Sequence, residues 1–438
     1  MKKRISQLIT LIISLILINC VIWTNTNTNS VSASKVANQE SITSANTTVS
    51  IPGELSEKNN VVFTRDGGKG LVATFKEQDG ATGHSVYSFN TLTGEVIDRL
   101  DTLNFSLVTP TKLTISNNDV LFISALSNLP DEVDFIIVPI NADGSFARDR
   151  QVNLAFRVPV TEDEQILPDE ISLSADGSYG IYSNKTNIFV FSTTSGQIIS
   201  SKQIVLEGAL GENNRIESFT YDQQNSRLAL IHQQNGQYFI LVYTLALDGQ
   251  LQFERRIRLP KREVIGYGSK LAFDELGTKV YLVSSNLGQL SAYDIASANL
   301  VFKKTILNLA ENDKDIAKEL AISLQLNIQT GRLFIQKPGH IQKPGHIQKP
   351  GHIAVVNLSN LSVITNIEFN QALTGAAFNS GGQKVYVLVD NKLETFLVDT
   401  NEKIESRELT QKSLNLSLYA QSEMLGIAAS SSVQLIYQ

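Results

Sequence analysis

Residues 273–306 read FDELGTKVYLVSSNLGQLSAYDIASANLVFKKTI. A first apolar strand ends at Phe273 and turns through Asp-Glu-Leu-Gly277. A second run, Val280-Tyr-Leu-Val283, is β-branched and aromatic. A third ends at Tyr293 and turns through Asp-Ile-Ala-Ser-Ala-Asn299. A fourth, Val301-Phe-Lys-Lys-Thr-Ile306, is more polar. Short β-branched runs separated by Gly, Asp, Asn and Ser are the mark of antiparallel hairpins. The stretch therefore predicts one four-stranded sheet whose last strand faces water.

The same unit recurs along the chain. The first turn returns as Phe63-Thr-Arg-Asp-Gly67, Leu173-Ser-Ala-Asp-Gly177 and Phe378-Asn-Ser-Gly-Gly382. The second strand returns as Leu71-Val-Ala-Thr-Phe75, Ile181-Tyr-Ser183 and Val385-Tyr-Val-Leu-Val389. The third returns as Tyr87-Ser-Phe-Asn-Thr-Leu-Thr-Gly94 and Phe191-Ser-Thr-Thr-Ser-Gly196, and the fourth as Glu95-Val-Ile-Asp-Arg-Leu100 and Gln197-Ile-Ile-Ser-Ser-Lys202. First-strand anchors fall at Phe63, Ile115, Leu173, Tyr221, Phe273, Leu326, Phe378 and Leu418, spaced 52, 58, 48, 52, 53, 52 and 40 residues apart. The last unit has only three strands, and 47–51, Thr-Thr-Val-Ser-Ile, supplies the fourth from the other end of the chain. Closing a ring in this way removes exposed sheet edges. The expectation is an all-β, eight-bladed β-propeller of four-stranded blades over residues 47–438, a single domain. Seven blades is the alternative; it requires 56 residues per unit and leaves one anchor unexplained.

The pattern Phe-x-x-x-Gly, then a Val-Tyr-Val-like strand, then an Asp/Asn-x-x-Thr-Gly-like turn resembles the YVTN-type β-propeller repeats. Those belong to the lactonase-like and cytochrome cd1-like propellers, within the wider WD40-like superfamily. The resemblance implies the architecture and carries little about activity, because propellers host many unrelated functions. The Trp-Asp dipeptide of WD40 repeats is absent, and so is any Cys-x-x-Cys-His for haem attachment.

The N-terminus reads as an export signal. Lys2, Lys3 and Arg4 precede an apolar run from Ile5 to Trp23, and Val31-Ser-Ala33 offers small residues for cleavage after Ala33. An uncleaved anchor, or lipid attachment at Cys20, is the alternative; membrane contact is expected only then. Residues 34–46, rich in Ser, Asn, Ala and Thr, read as a flexible tether. The product is secreted or held in the periplasm or cell envelope. Its only Trp and Cys, Trp23 and Cys20, lie in the signal. The propeller therefore has no disulfide, thiolate metal site or Cys nucleophile. Loss of the three signal cations takes the net charge from −6 to −9. That acidity argues against nucleic-acid binding.

One insertion stands out. Ile335-Gln-Lys-Pro-Gly-His340 is repeated as Ile341–His346 and Ile347–His352, in the second-to-third-strand loop of blade six. Removing two copies shortens the Leu326–Phe378 spacing from 52 to 40, the spacing that follows it. The insertion reads as a tandem duplication in a tolerant loop. His340, His346 and His352 are weak metal-ligand candidates, with no carboxylate fixed beside them. His84 and His232 fall at or near equivalent loops of blades one and four, so all five His are expected on one face, mostly as surface residues. Acidic residues gather there too. Asp131, Glu132 and Asp134 are placed in blade two's loop, and Glu162, Asp163, Glu164, Asp169 and Glu170 in the connection to blade three. This is the expected partner face. Ca²⁺ is a weaker reading, because the regular Asp/Asn/Gly loop is missing. The connection 309–321 predicts a helix, with Ile316 and Leu320 on one side.

No cofactor is called for, and a monomer is expected. The first reading is a binding or scaffold module for a protein or glycan ligand, using its loop face and more in keeping with a non-enzyme. A lactonase-type hydrolase is the alternative. Those enzymes resemble one another in a Pro-Arg-His element at an inner strand, and no His follows an Arg here. A metal- or cofactor-dependent oxidoreductase is the third; dispersed His and missing Cys count against it.

Overall fold

The computed structural model describes residues 46–55, 60–74, 85–101, 109–126, 132–157, 171–205 (apart from 175 and 185), 214–260, 269–306 (apart from 285–287), 323–337 (apart from 328 and 329) and 351–438 (apart from 390, 410, 412 and 420–422). Residues 1–45, which hold the expected signal and all but the last residue of the expected tether (34–46), lie outside them.

The described strands form eight four-stranded antiparallel sheets. Their first strands are Val62–Phe63, Thr109–Ile115, Ile171–Leu173, Asn214–Asp222, Lys270–Phe273, Ser323–Asn327, Leu373–Phe378 and Ser413–Tyr419. Each contains one of the eight sequence anchors, so the eight-blade count holds and the seven-blade alternative falls. Seven blades run first to fourth strand in chain order. In the eighth, Ser413–Tyr419, Met424–Ala429 and Ser432–Tyr437 are completed by Thr47–Ser50. The closing strand pairs Thr47 with Leu435 and Val49 with Val433. Ile51 and Leu55 then donate their backbone N–H groups to the carbonyls of Ser431 and Ser430.

Burial follows strand position. The second strand of blade eight, Met424–Ala429, is buried along its whole length, whereas the outer strand Asn299–Thr305 of blade five is exposed apart from Phe302. Inner strands read as continuous apolar runs because both sheet faces are covered; outer strands alternate or turn polar because one face meets water. The buried apolar residues fall into eight clusters, each shared by two consecutive blades. Ala229, Ile231 and Val242 of blade four meet Phe273, Val280 and Leu282 of blade five. At the ring closure Met424, Ala428 and Val433 of blade eight meet Phe63, Val72 and Phe89 of blade one.

Two glycines show how the repeat is packed. Gly70 pairs with Phe89 in blade one, and Gly180 with Phe191 in blade three. A Cβ at either position would stand 2.2 Å from the phenylalanine ring, so the ring lies across the bare backbone. The closing strand gives a direct test. Val49 is fully buried and Thr48 points outward. Val49→Asp should cost about 3 kcal/mol or more, the order expected for an unpaired buried charge. Thermal and denaturant unfolding should show a drop in Tm of several degrees, with Thr48→Asp near wild type. Equal melting of the two variants would mean that this strand does not seal the ring.

Candidate functional site

The two ends of the ring differ in kind. At one end lie the turns from first to second strand, each four or five residues long, and the turns from third to fourth strand. Side chains stitch the first-to-second turns together. Asp119 accepts from the Arg65 N–H, Asn118 donates to the Asp176 carbonyl, and Gln223 to that of Leu173. Asn225 donates to the Glu275 carbonyl, Asn327 to that of Ser380, Asn379 to the Glu423 carboxylate, and Tyr419 to the Arg65 carbonyl. These bonds cross seven of the eight junctions between blades among the described residues. Each contributes about 1 kcal/mol net. Tyr386, fully buried, also donates to Glu423; burial, then the Glu423 charge, pushes its hydroxyl pKa well up.

At the other end lie the second-to-third-strand loops and the connections between blades. Their lengths run from two residues, Asn235 and Gly236, to seventeen, 306–322. The expected partner face belongs here. Asp131, Glu162, Asp163, Glu164, Asp169 and Glu170 lie outside the described residues, as does the segment 309–321 read as helical. Glu132 and Asp134 are not in a loop. They begin the third strand of blade two, Glu132–Pro139, with Asp134 half-buried between Ala125 and Ala155.

The histidines correct the surface expectation. His84, His340 and His346 lie outside the described residues. His232 is only 5% exposed, inside the second strand Arg227–Gln234 of blade four, beside Phe239, with both ring nitrogens unpartnered. His352 heads the strand His352–Asn357 and is also buried, register-paired with Lys337 and Glu368. Its Nδ1 stands 3.8 Å from a Glu368 oxygen, and burial lowers its pKa, so neutral imidazole prevails at pH 7. Lys337 is buried on the same row, its pKa also lowered by burial. An ammonium there repels a second cation. Among the described residues no group of three or more His, Cys, Asp or Glu could hold a metal ion. Sequence periodicity missed both burials because a blade is covered on two faces, so a polar residue at a strand end carries no outward signal.

The pair Lys337–His352 also explains the hexapeptide. Lys337 belongs to the first copy and His352 to the last. With one copy, Lys337-Pro-Gly-His340 brings the same two residue types together across a two-residue turn. Adding whole copies therefore leaves the stem register untouched. Deleting 341–352 should keep Tm within about one degree of wild type, a negligible change on the scale of single substitutions. Deleting 341–353, one residue more, shifts every later residue of the strand by one position, turns its apolar side chains to the wrong face and should lower Tm clearly. Equal losses would overturn the register argument.

Sequence reading missed a second cluster, at the outer strand Leu251–Arg258 of blade four. Arg256 stacks 3.7 Å over the Phe239 ring and donates to Gln234, while Arg258 donates to Gln237. The signal was present as Arg255-Arg-Ile-Arg258 in an acidic chain. Beneath it, burial and then Arg256 lower the pKa of His232 from 6.5 to about 4. Between those values the unfolded chain binds more protons than the folded one. Stability is therefore fully present above pH 6.5 and falls as the pH drops toward 4. The full shift is worth about 3 kcal/mol. Unfolding free energies of His232→Phe should show a flatter slope across that window; an unchanged slope would mean that His232 is not the titrating group.

No family model matches the chain, and no curated protein matches it. Solved structures do. The C-terminal WD40 domain of Sif2 superposes with a TM-score of 0.57 at 11% identity, over 89% of this chain and 99% of that one. The β-propeller domain of Myceliophteria thermophila Cps50 (Swd1) gives 0.47 at 10% identity, over 74% and 95% of the two chains. A chain of a mitotic checkpoint complex gives 0.46 at 13% identity, over 93% and 95%. At its identity the likeness to the Sif2 domain is one of fold alone, a β-propeller.

Proposed function

We propose that this protein is an exported propeller scaffold that binds a protein or glycan through the face built from its second-to-third-strand loops and blade-to-blade connections. One observation carries it. Connection length varies from two to seventeen residues at that end, while the first-to-second turns at the other are uniform and cross-linked. Recognition resides in loops of varied length on a rigid frame. The basic and apolar N-terminal run supports export, and the repeat resembles the YVTN type among propellers. The protein acts as a monomer, with the acidic connection between blades two and three contributing charge to the face.

Capture from the native envelope or culture medium tests this. Changing Glu162, Asp163, Glu164, Asp169 and Glu170 to their amides should abolish recovery of the specific partner. Amides at Asp143, Asp248 and Glu275, in turns of the opposite end, and at Asp294, at the strand end beside one, should not. Recovery indifferent to the first set, or hydrolysis of a lactone panel above background, would overturn the proposal.

A further inference from the structure

The outer strands of the blades differ in how their cations are held. In blade one Arg99 pairs with Asp101; in blade seven Lys403 pairs with Glu394 and Arg407 with Glu405. In blades three to five the outer strands expose Lys202, Arg255, Arg256, Arg258, Lys303 and Lys304. Arg256 and Arg258 hold only neutral amides, and Lys202, Arg255 and Lys304 have no ion pair among the described residues. A chain of net charge −6 thus concentrates cations on one sector of its rim.

Blade four stands at the centre of that sector. Its outer strand Leu251–Arg258 pairs on one side only, with Gln237–Leu245, so its far edge presents unpaired N–H and C=O groups. Residues opposite one another in a pair share a face. Arg256 and Arg258, opposite Leu241 and Phe239, therefore lie on the side toward blade three, and Lys202, opposite Ile188, faces them from that blade. Arg255, opposite Val242, lies on the side toward blade five. At the other end of the strand Phe253 is 58% exposed, packed edge-on against Tyr243. A free edge, an apolar foothold and cations on both faces fit one kind of ligand.

We infer that blade four accepts an extended acidic segment of a partner protein as a fifth strand, with backbone hydrogen bonds along Leu251–Arg258. Carboxylates of the segment meet Arg255, Arg256 and Arg258, and an apolar side chain covers Phe253. This surface is separate from the loop face and does not depend on the reading of that face.

Fluorescence anisotropy with the full chain and a labelled peptide in which a run of consecutive Glu is followed by a run of Val, so that both residue types reach both faces of an added strand, tests the inference. Binding should saturate and weaken about tenfold in Arg255→Glu/Arg258→Glu, as expected when interface charges are reversed. It should weaken in Phe253→Ser and vanish when alternate peptide nitrogens are methylated, since those N–H groups face the neighbouring strand. Lys403→Glu/Arg407→Glu on blade seven, and the acidic loop variant, should bind as wild type. Absence of binding would mean that the cations only guard the edge. Equal binding of the methylated peptide, or heparin binding with the same dependence on Arg255 and Arg258, would make the rim a general polyanion surface. Either result overturns the proposal.

Discussion

Everything in this fold depends on the fact that each sheet has two apolar faces and no way to cover them alone. A single blade would leave both in water. Stacking solves the problem for the middle of a row but not for its ends, so the row must become a ring. The eight shared clusters are that solution. The interface between blades eight and one differs from the others in that one of its strands comes from the far end of the chain. Val49 and Leu435 lie in one cluster although hundreds of residues separate them in sequence.

Given that ring, the two ends of the disc are free to take different roles. Tight turns at one end let short side chains of Asn, Gln and Asp reach the next blade's backbone, and the bonds recur with the spacing of the repeat: Asn225 to Glu275 spans 50 residues and Asn327 to Ser380 spans 53. A turn that must also meet its neighbour cannot change length without losing that bond. The other end has no such constraint in common, and its connections diverge. The packed interior and the stitched turns are thus the frame on which variable loops and exposed rim strands present chemistry.

The repeat was fully legible in the sequence because turn residues and β-branched runs are local signals. All eight anchors fall in first strands, and the 47–51 segment is found where its apolar pattern placed it. Side-chain placement at strand ends was less legible. His232 and His352 look like loop residues from their neighbours, yet the strands extend far enough to bury them. The same extension of a strand takes Glu132 and Asp134 out of the loop and into the third strand of blade two. The blade-four cations were hidden by the overall negative charge, since net charge averages over a surface that is in fact divided into sectors. What distinguishes Arg255 from Arg407 is the use of the nearby carboxylate: Glu405, two residues away on the same strand, pairs with Arg407, whereas Glu254 beside Arg255 turns to Arg227.

The closing strand bears on how the chain comes into being. Thr47–Ser50 leaves the ribosome well before its partner Ser432–Tyr437, which begins 385 residues further along the chain. During synthesis the first blades can form hairpins of low contact order, while the early strand stays without a mate. The barrier to completing the molecule is therefore a meeting between two distant stretches, and once they have met, separating them requires tearing the circle at a buried seam. The same pairing that makes the ring slow to finish makes it slow to come apart.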